Sequence, residues 1–169
     1  MTHSGSAMFC EGSGNYPDAA YSKNSGEGFD SVALGFDFGE KRIGVSVGNL
    51  GLGLAHPLAT ITGSNTEQRF ERIFELIQEW RPILLVVGLP THPDGKEHEL
   101  TRRSRRFARR LEGRFRVKTV LVDECYTSID ASTALREAGI KGRKQKPLLD
   151  QVAAQLILQS YFDGNDATA

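Results

Sequence analysis

From residue 32 onward the chain passes between two kinds of hydrophobic spacing. Residues 32–38 form a short apolar block, and 41–47 form a second one across a Gly39-Glu40 turn, which predicts a hairpin. A third strand falls within 52–61, bent by Pro57. Three neighbouring strands joined by short turns imply an antiparallel meander. Then the period changes: Phe70, Ile73, Phe74, Ile77 and Trp80 follow helical spacing. Ser64 and Glu67 form a capping box at its start, and Pro82 stops it. Residues 83–87 are a continuous apolar run, as suits a central strand covered on both faces. Gly88-Leu-Pro90 ends it, and Pro93-Asp-Gly95 is a turn.

A second helix spans 97–112, with Leu100, Ser104, Phe107, Ala108 and Leu111 on one face. Residues 117–122 read as a strand and 128–138 as a helix. A loop at 139–146 leads to a last helix that opens at Pro147 and ends near Phe162. The order βββ-α-β-α-β-α-α predicts an α/β fold with a mixed five-stranded sheet and helices on both faces.

Within this pattern one residue is out of place. Asp37 is a carboxylate between Phe36 and Phe38, inside an apolar strand. A charge there is costly unless it is paired, and at the lip of a sheet a divalent cation relieves it well. Companion acids stand at the end of the last strand, Asp123 and Glu124, and in the first turn of the last helix, Asp150. The carboxyl ends of adjacent strands in open α/β sheets form the usual ligand crevice. On a helical wheel Asp150 flanks the stripe Leu149, Val152, Ala153 and Leu156. Carboxylates converging there would repel one another and raise each other's pKa, which Mg²⁺ or Mn²⁺ would relieve. Each acid also has a plainer reading: Asp150 as complement to the helix macrodipole, Asp123 and Glu124 as polar residues leaving a strand.

The second anomaly is basic. Residues 102–118 hold Arg102, Arg103, Arg105, Arg106, Arg109, Arg110, Arg114, Arg116 and Lys118 against one acid, Glu112. The helical arginines fall opposite the apolar stripe. Guanidinium forks suit phosphate oxygens, and cations clustered on one face are the footprint of nucleic-acid binding. A merely solvated face would interleave acids, because like charges at i,i+4 destabilise a helix. Lys141, Arg143, Lys144 and Lys146 form a further cluster just before Asp150.

Overall charge hides this asymmetry, since 21 basic residues balance 21 acidic ones. Residues 1–31, rich in Gly and Ser, carry four acids and one lysine, and no hydrophobic period. They read as a flexible tail before a domain at 32–162, with a short C-terminal tail at 163–169. Cys10 and Cys125 lack metal-site spacing and make no disulfide framework, which fits a reducing cytoplasm. No apolar run reaches transmembrane length, and the N-terminus has no signal-peptide pattern. His56, His92 and His98 have no metal-ligand spacing. The glycines of 35–44 are not followed by a helix, so they form no dinucleotide fingerprint. Thr127 and Ser128 read as caps.

These residues resemble the YqgF (RuvX) family, RNase H-like proteins described as Holliday-junction-resolvase-like and as nucleases maturing pre-16S rRNA. Gly35-Phe-Asp-Phe-Gly-Glu-Lys-Arg-Ile-Gly-Val-Ser-Val47 is similar to the family's opening hairpin. Val87-Gly-Leu-Pro90, Asp94-Gly95 and the arginine helix are similar to its middle motif. Val122-Asp-Glu-Cys-Tyr-Thr-Ser128 resembles its Asp-Glu-Arg motif, and Lys146 with Asp150-Gln-Val-Ala-Ala154 resembles its last helix. The likeness covers about residues 32–162, in order. It implies an RNase H-like sheet and a metal-dependent, phosphodiester-cleaving hydrolase. The catalytic acids and metal ligands would be Asp37, Glu124 and Asp150, with Mg²⁺ or Mn²⁺. Lys41, Arg42, Arg102, Arg103, Arg105, Arg106, Arg109, Arg110, Lys144 and Lys146 would hold nucleic acid. The family has arginine where this chain has Cys125, which removes a cation beside the second acid but no metal ligand.

The expected partner is structured RNA, pre-16S rRNA free or on the pre-ribosome, met in the cytoplasm by a monomer or homodimer. Branched DNA is the alternative substrate, and a symmetric dimer would suit a four-way junction. A non-catalytic factor of ribosome assembly or transcription is the alternative class. An actin-like kinase would share the Asp37 hairpin but needs two lobes.

Overall fold

In the computed structural model, residues 31–90, 94, 97–123 and 145–168 are described. The expected helix at 128–138, the loop cations before Gln145, both cysteines and Glu124 lie outside them. Strand β1 (Val32–Phe38) is central. It pairs antiparallel with β2 (Arg42–Asn49), which pairs antiparallel with β3 (Leu54–Thr62). Helix α1 (Thr66–Trp80) then crosses to β4 (Leu84–Leu89), which lies parallel to β1. Helix α2 (Glu99–Phe115) leads to β5 (Lys118–Asp123), parallel to β4, and α3 (Gln145–Thr168) follows. The five-stranded sheet has the order β3-β2-β1-β4-β5. This is the mixed sheet that the hydrophobic pattern predicts.

Alternation along β1 divides its side chains between two layers. Leu34 and Phe36 join Ile43, Val45, Leu85 and Val87 beneath α1 and α2. Ala33 joins Ala55, Leu84 and Val86 beneath Ile157, Leu158 and Phe162 of α3. The first layer is aromatic. Phe107 meets Phe36 edge-on at 6.0 Å and lies 4.9 Å from Phe38, and Phe70 stacks on Phe115 at 6.1 Å between centroids.

Local details depart from expectation for physical reasons. The cap of α1 is Asn65, one residue later than Ser64; its side chain accepts from Gln68 N–H at 2.9 Å. The Gln68 side chain accepts in turn from the Ser64 N–H and hydroxyl, so Glu67 is released from the capping role. Phe74 lies at the rim of the core and is 38% exposed. In α2, Leu100 also faces outward, and Thr101 and Phe115 complete the buried face with Ser104, Phe107, Ala108 and Leu111. The Thr101 hydroxyl donates to the Pro90 carbonyl at 2.6 Å, which turns that residue inward at the end of β4.

Helix α3 is rotated from the expected stripe. Its buried positions are Ala153, Ala154, Ile157, Leu158 and Phe162. Small residues on the sheet below draw the two alanines inward. The helix also starts before Pro147, which sits in its first turn where no N–H is needed, and continues beyond Phe162 through Gly164.

Candidate active site

Asp37 shares a sheet face with Gly35 and Ala33, two and four residues back along β1. That is the α3 face. Directly across the ladder from Asp37 stands Gly44 of β2, and across from Gly35 stands Ser46. A methyl group on Gly44 would overlap the backbone carbonyl of Asp150. One on Gly35 would lie 2.8 Å from the Leu158 Cβ and 3.0 Å from the Ala154 carbonyl oxygen. One on Gly48 would lie 2.7 Å from the Phe162 ring. Glycines, with no side-chain carbon, thus let α3 rest on the sheet backbone. The Ser46 hydroxyl fastens it by donating to the Ala154 carbonyl at 2.7 Å. Gln151 donates to the Thr60 hydroxyl and Gln155 to the Ala55 carbonyl, fixing α3 along β3 as well.

Asp150 stands one helical turn before Ala154 on this seated face. It prolongs the buried stripe toward the sheet edge instead of flanking it. Its carboxylate accepts from Arg42 Nε at 2.6 Å, with both side chains part-buried. Burial pushes the Asp37 carboxyl up from 3.8 to about 6, and the nearby Asp150 charge pushes in the same direction. The two acids therefore sense each other through space. Oxygen-only donors with mutual repulsion fit a hard divalent cation, which tolerates one or two carboxylates plus water. Among the described residues no group of three or more His, Cys, Asp or Glu could hold a metal.

Asp123 closes β5 and is exposed. Because β1, β4 and β5 are parallel, their carboxyl ends reach one edge of the sheet. Glu124 is the next residue in the chain and lies outside the described set.

The cations fall elsewhere. Arg102, Arg103, Arg105, Arg106, Arg109 and Arg110 are all exposed on α2, on the sheet face opposite α3. Arg103 pairs with Glu99 and with Glu40 of the β1–β2 turn, Arg105 with Glu97, and Arg114 with Glu67. The acids missing from the α2 face are thus supplied from its flanks. Arg102, Arg106, Arg109 and Arg110 form no ion pair among the described residues. Lys41 and Lys146 are exposed. Arg42 is held by Asp150, and Lys144 lies outside the described residues.

A model of the RuvX family, described as Holliday junction resolvase, matches residues 31–164. The chain belongs to the RuvX family. A Nitrosospira multiformis protein named "Putative pre-16S rRNA nuclease" is 67% identical over 137 residues, covering 81% of this chain and 91% of its own. A Neisseria gonorrhoeae protein of the same name is 53% identical, covering 80% and 90%. Two solved structures share the fold. Thermus thermophilus RuvC in complex with Holliday junction substrate has TM-score 0.50 and 21% identity over 82% of this chain and 98% of that one. Fowlpox virus resolvase with Holliday junction DNA has TM-score 0.51 and 13% identity over 79% and 98%. The RuvX chain is therefore an RNase H-like nuclease, a phosphodiester-cleaving hydrolase.

Sequence reasoning in this RuvX chain missed the residues that seat α3. Their signal was present: Gly44, Ser46 and Gly48 place small side chains at every second position of one strand, hence on one face. The Glu40–Arg103 pair, sixty-three residues apart in sequence, left no local trace.

Proposed function

We propose that this chain is a divalent-metal-dependent nuclease that processes the 5′ end of pre-16S rRNA in the cytoplasm. The observation that carries the reading is the seating of α3 on Gly44, which sets Asp150 beside Asp37 at the end of β1. The names of the relatives support the substrate. Asp37 and Asp150 would hold Mg²⁺ or Mn²⁺, with Glu124 as the third ligand. Such an ion supplies activation of water and neutralises charge on the phosphodiester.

The chain's own residues do the rest. Burial on the α3 face keeps the carboxyl of Asp37 poorly hydrated, so it binds a cation more readily than it stands charged alone. Arg42 fixes the orientation of the Asp150 carboxylate through its single short hydrogen bond. Above pH about 6, Asp37 is ionised without help, and a bound cation lowers that threshold. Arg102, Arg105, Arg106, Arg109, Arg110, Lys41 and Lys146 would contact phosphates. Contacts of that kind read backbone and shape, so base specificity is low.

The test is cleavage of a labelled ribosomal precursor RNA by the wild type and Asp37→Asn with Mg²⁺, with Mn²⁺ and with chelator. Metal-dependent cleavage by the wild type alone is the expected result. No cleavage by either protein, with salt-sensitive RNA binding intact, would replace the nuclease with a binding factor. The family's description favours a second reading, cleavage of branched DNA. A four-way DNA junction in the same assay separates the two.

A further inference from the structure

On the sheet face opposite Asp37, residues of α1, α2 and the β1–β2 hairpin line a cleft of about 310 Å³. Its floor is Phe38, Phe70 and Phe107, with Ile43, and its walls are Arg69, Arg103, Arg106 and Arg110. Four guanidinium groups over three phenyl rings is an unusual lining for a mere gap between helices.

The cations are not equivalent. Arg103 is neutralised by Glu99 and Glu40. Arg69 spends its donors on the carbonyls of Gly39, Glu40 and Gly63, which hold the group in place and leave its charge uncancelled. Arg106 and Arg110, one helical turn apart, form no ion pair among the described residues. The remaining acid nearby, Glu67, is hydrogen-bonded to Arg114, which with Arg110 holds its carboxyl below the usual range. The cleft therefore keeps a positive excess, with Arg106 and Arg110 at the spacing at which side chains on a helix meet.

The floor is also graded. Phe70 and Phe107 are 3% and 4% exposed, whereas Phe38 is only partly buried. Phe38, packed on Phe107 at 4.9 Å, thus keeps part of its surface exposed beside the Arg106 and Arg110 guanidinium groups. A phosphate suits the forks, and a nucleobase suits the ring. The volume is at the lower end for small-ligand pockets, enough for one nucleotide and too small for a duplex.

We propose that this cleft binds a single unpaired nucleotide of the substrate strand, its phosphate on Arg106 and Arg110 and its base against Phe38. The inference rests on the nuclease reading for its substrate class. It adds a recognition point on the sheet face away from Asp37, reached around the β1–β2 turn. Phe38 follows Asp37 in β1 and points to the other face, so the two sites flank one strand end. A flipped-out or single-stranded nucleotide would then favour substrates with an unpaired residue near the cleavage point.

The experiment is a nuclear magnetic resonance titration of the full-length protein in chelator with adenosine 5′-monophosphate, adenosine and inorganic phosphate. The nucleotide is expected to shift the signals of Phe38, Arg106 and Arg110, and to bind roughly tenfold or more tightly than either fragment. The double variant Arg106→Gln/Arg110→Gln, at exposed positions, should weaken the nucleotide by about tenfold or more. Phe38→Leu should bring the nucleotide down to the affinity of phosphate. Shifts confined to the Asp37–Asp150 region, no shifts at all, or phosphate binding as tightly as the nucleotide would each overturn the proposal. Chelator removes metal chemistry from this readout, so a failed titration leaves the nuclease reading standing. Conversely, absence of RNA cleavage by the wild type leaves the titration result untouched.

Discussion

The two faces of this sheet are built on opposite principles. The α1/α2 face is packed with large side chains, and Phe107 alone touches Phe36, Phe38 and Phe70. The α3 face is paved with Gly35, Gly44, Ser46 and Gly48, and a helix lies against the backbone itself. Bulk gives the first face its stability. Closeness gives the second its acid pair, because a helix seated that low carries Asp150 into electrostatic range of Asp37. Cations follow the same division: exposed arginines crowd the outside of α2, while Arg42, on the α3 side, is held by a carboxylate.

The largest expected effect on stability comes from the bulky face. Phe107→Ala should cost about 3–5 kcal/mol in denaturant unfolding, because it opens a cavity among the rings of Phe36, Phe38 and Phe70. If the two faces are separable, the Asp37 titration in the surviving folded protein stays where it was. A shift of the Asp37 titration in that variant would break the comparison.

Asp37→Asn works the other way. In the wild type without metal, the folded protein holds a proton on Asp37 up to pH about 6, and the unfolded chain only to 3.8. Folded molecules thus bind more protons between those values, so the contribution of Asp37 to stability is fully present below 3.8 and is lost as pH rises through about 6. At neutral pH the ionised, part-buried carboxylate costs at most about 2–3 kcal/mol. Asp37→Asn should recover most of that at pH 7.5 while abolishing cleavage, and its urea midpoint should lose the decline across this window. A variant less stable than the wild type at pH 7.5 would assign Asp37 a structural role.

Gly44→Ala is the sharpest probe of closeness. One added methyl against the Asp150 carbonyl must lift the start of α3 or strain β2, at about 1–3 kcal/mol. The same single carbon on a partly exposed site of α1 would pass almost unnoticed. Cleavage should fall far more than stability does, since lifting α3 separates the acid pair. Equal losses would mean that Gly44 serves packing alone.

The smallest effect is at the cap of α1. Asn65→Ala should cost about 1 kcal/mol in thermal or denaturant unfolding and leave cleavage unchanged.

The bulky face was the easier to read from the sequence. Helical spacing of Phe70, Ile73 and Ile77, and of Ser104, Phe107 and Leu111, carries its own period, so the elements and their buried sides follow from the chain alone. The misplaced details were at ends, such as Leu100 and Ser64, where a hydrogen bond to a distant or neighbouring group decides between adjacent positions. The close face was harder. A glycine looks the same in a turn as it does beneath a helix, and nothing local in Gly44 names Asp150 as its neighbour. Asp37 itself stood out, because a charge inside an apolar strand is conspicuous. The rotation of α3 that brings Asp150 to it depends on the small residues of β2, over a hundred positions earlier in sequence. Two acidic partners of the α2 arginines were equally invisible, since Glu40 and Glu67 arrive from other elements, whereas Glu97 and Glu99 lie at the start of the same segment.

The proposed site depends on α3 holding Asp150 close enough to Asp37 for the two carboxylates to act together. Titration of the Asp37 carboxyl carbon by nuclear magnetic resonance tests this directly, in metal-free wild type, in Asp150→Asn, and in wild type with Mg²⁺. The expected midpoint is about 6 in the metal-free wild type and lower in Asp150→Asn, and it falls on adding Mg²⁺. A midpoint near 3.8 that neither Asp150→Asn nor Mg²⁺ moves would contradict the proposed site.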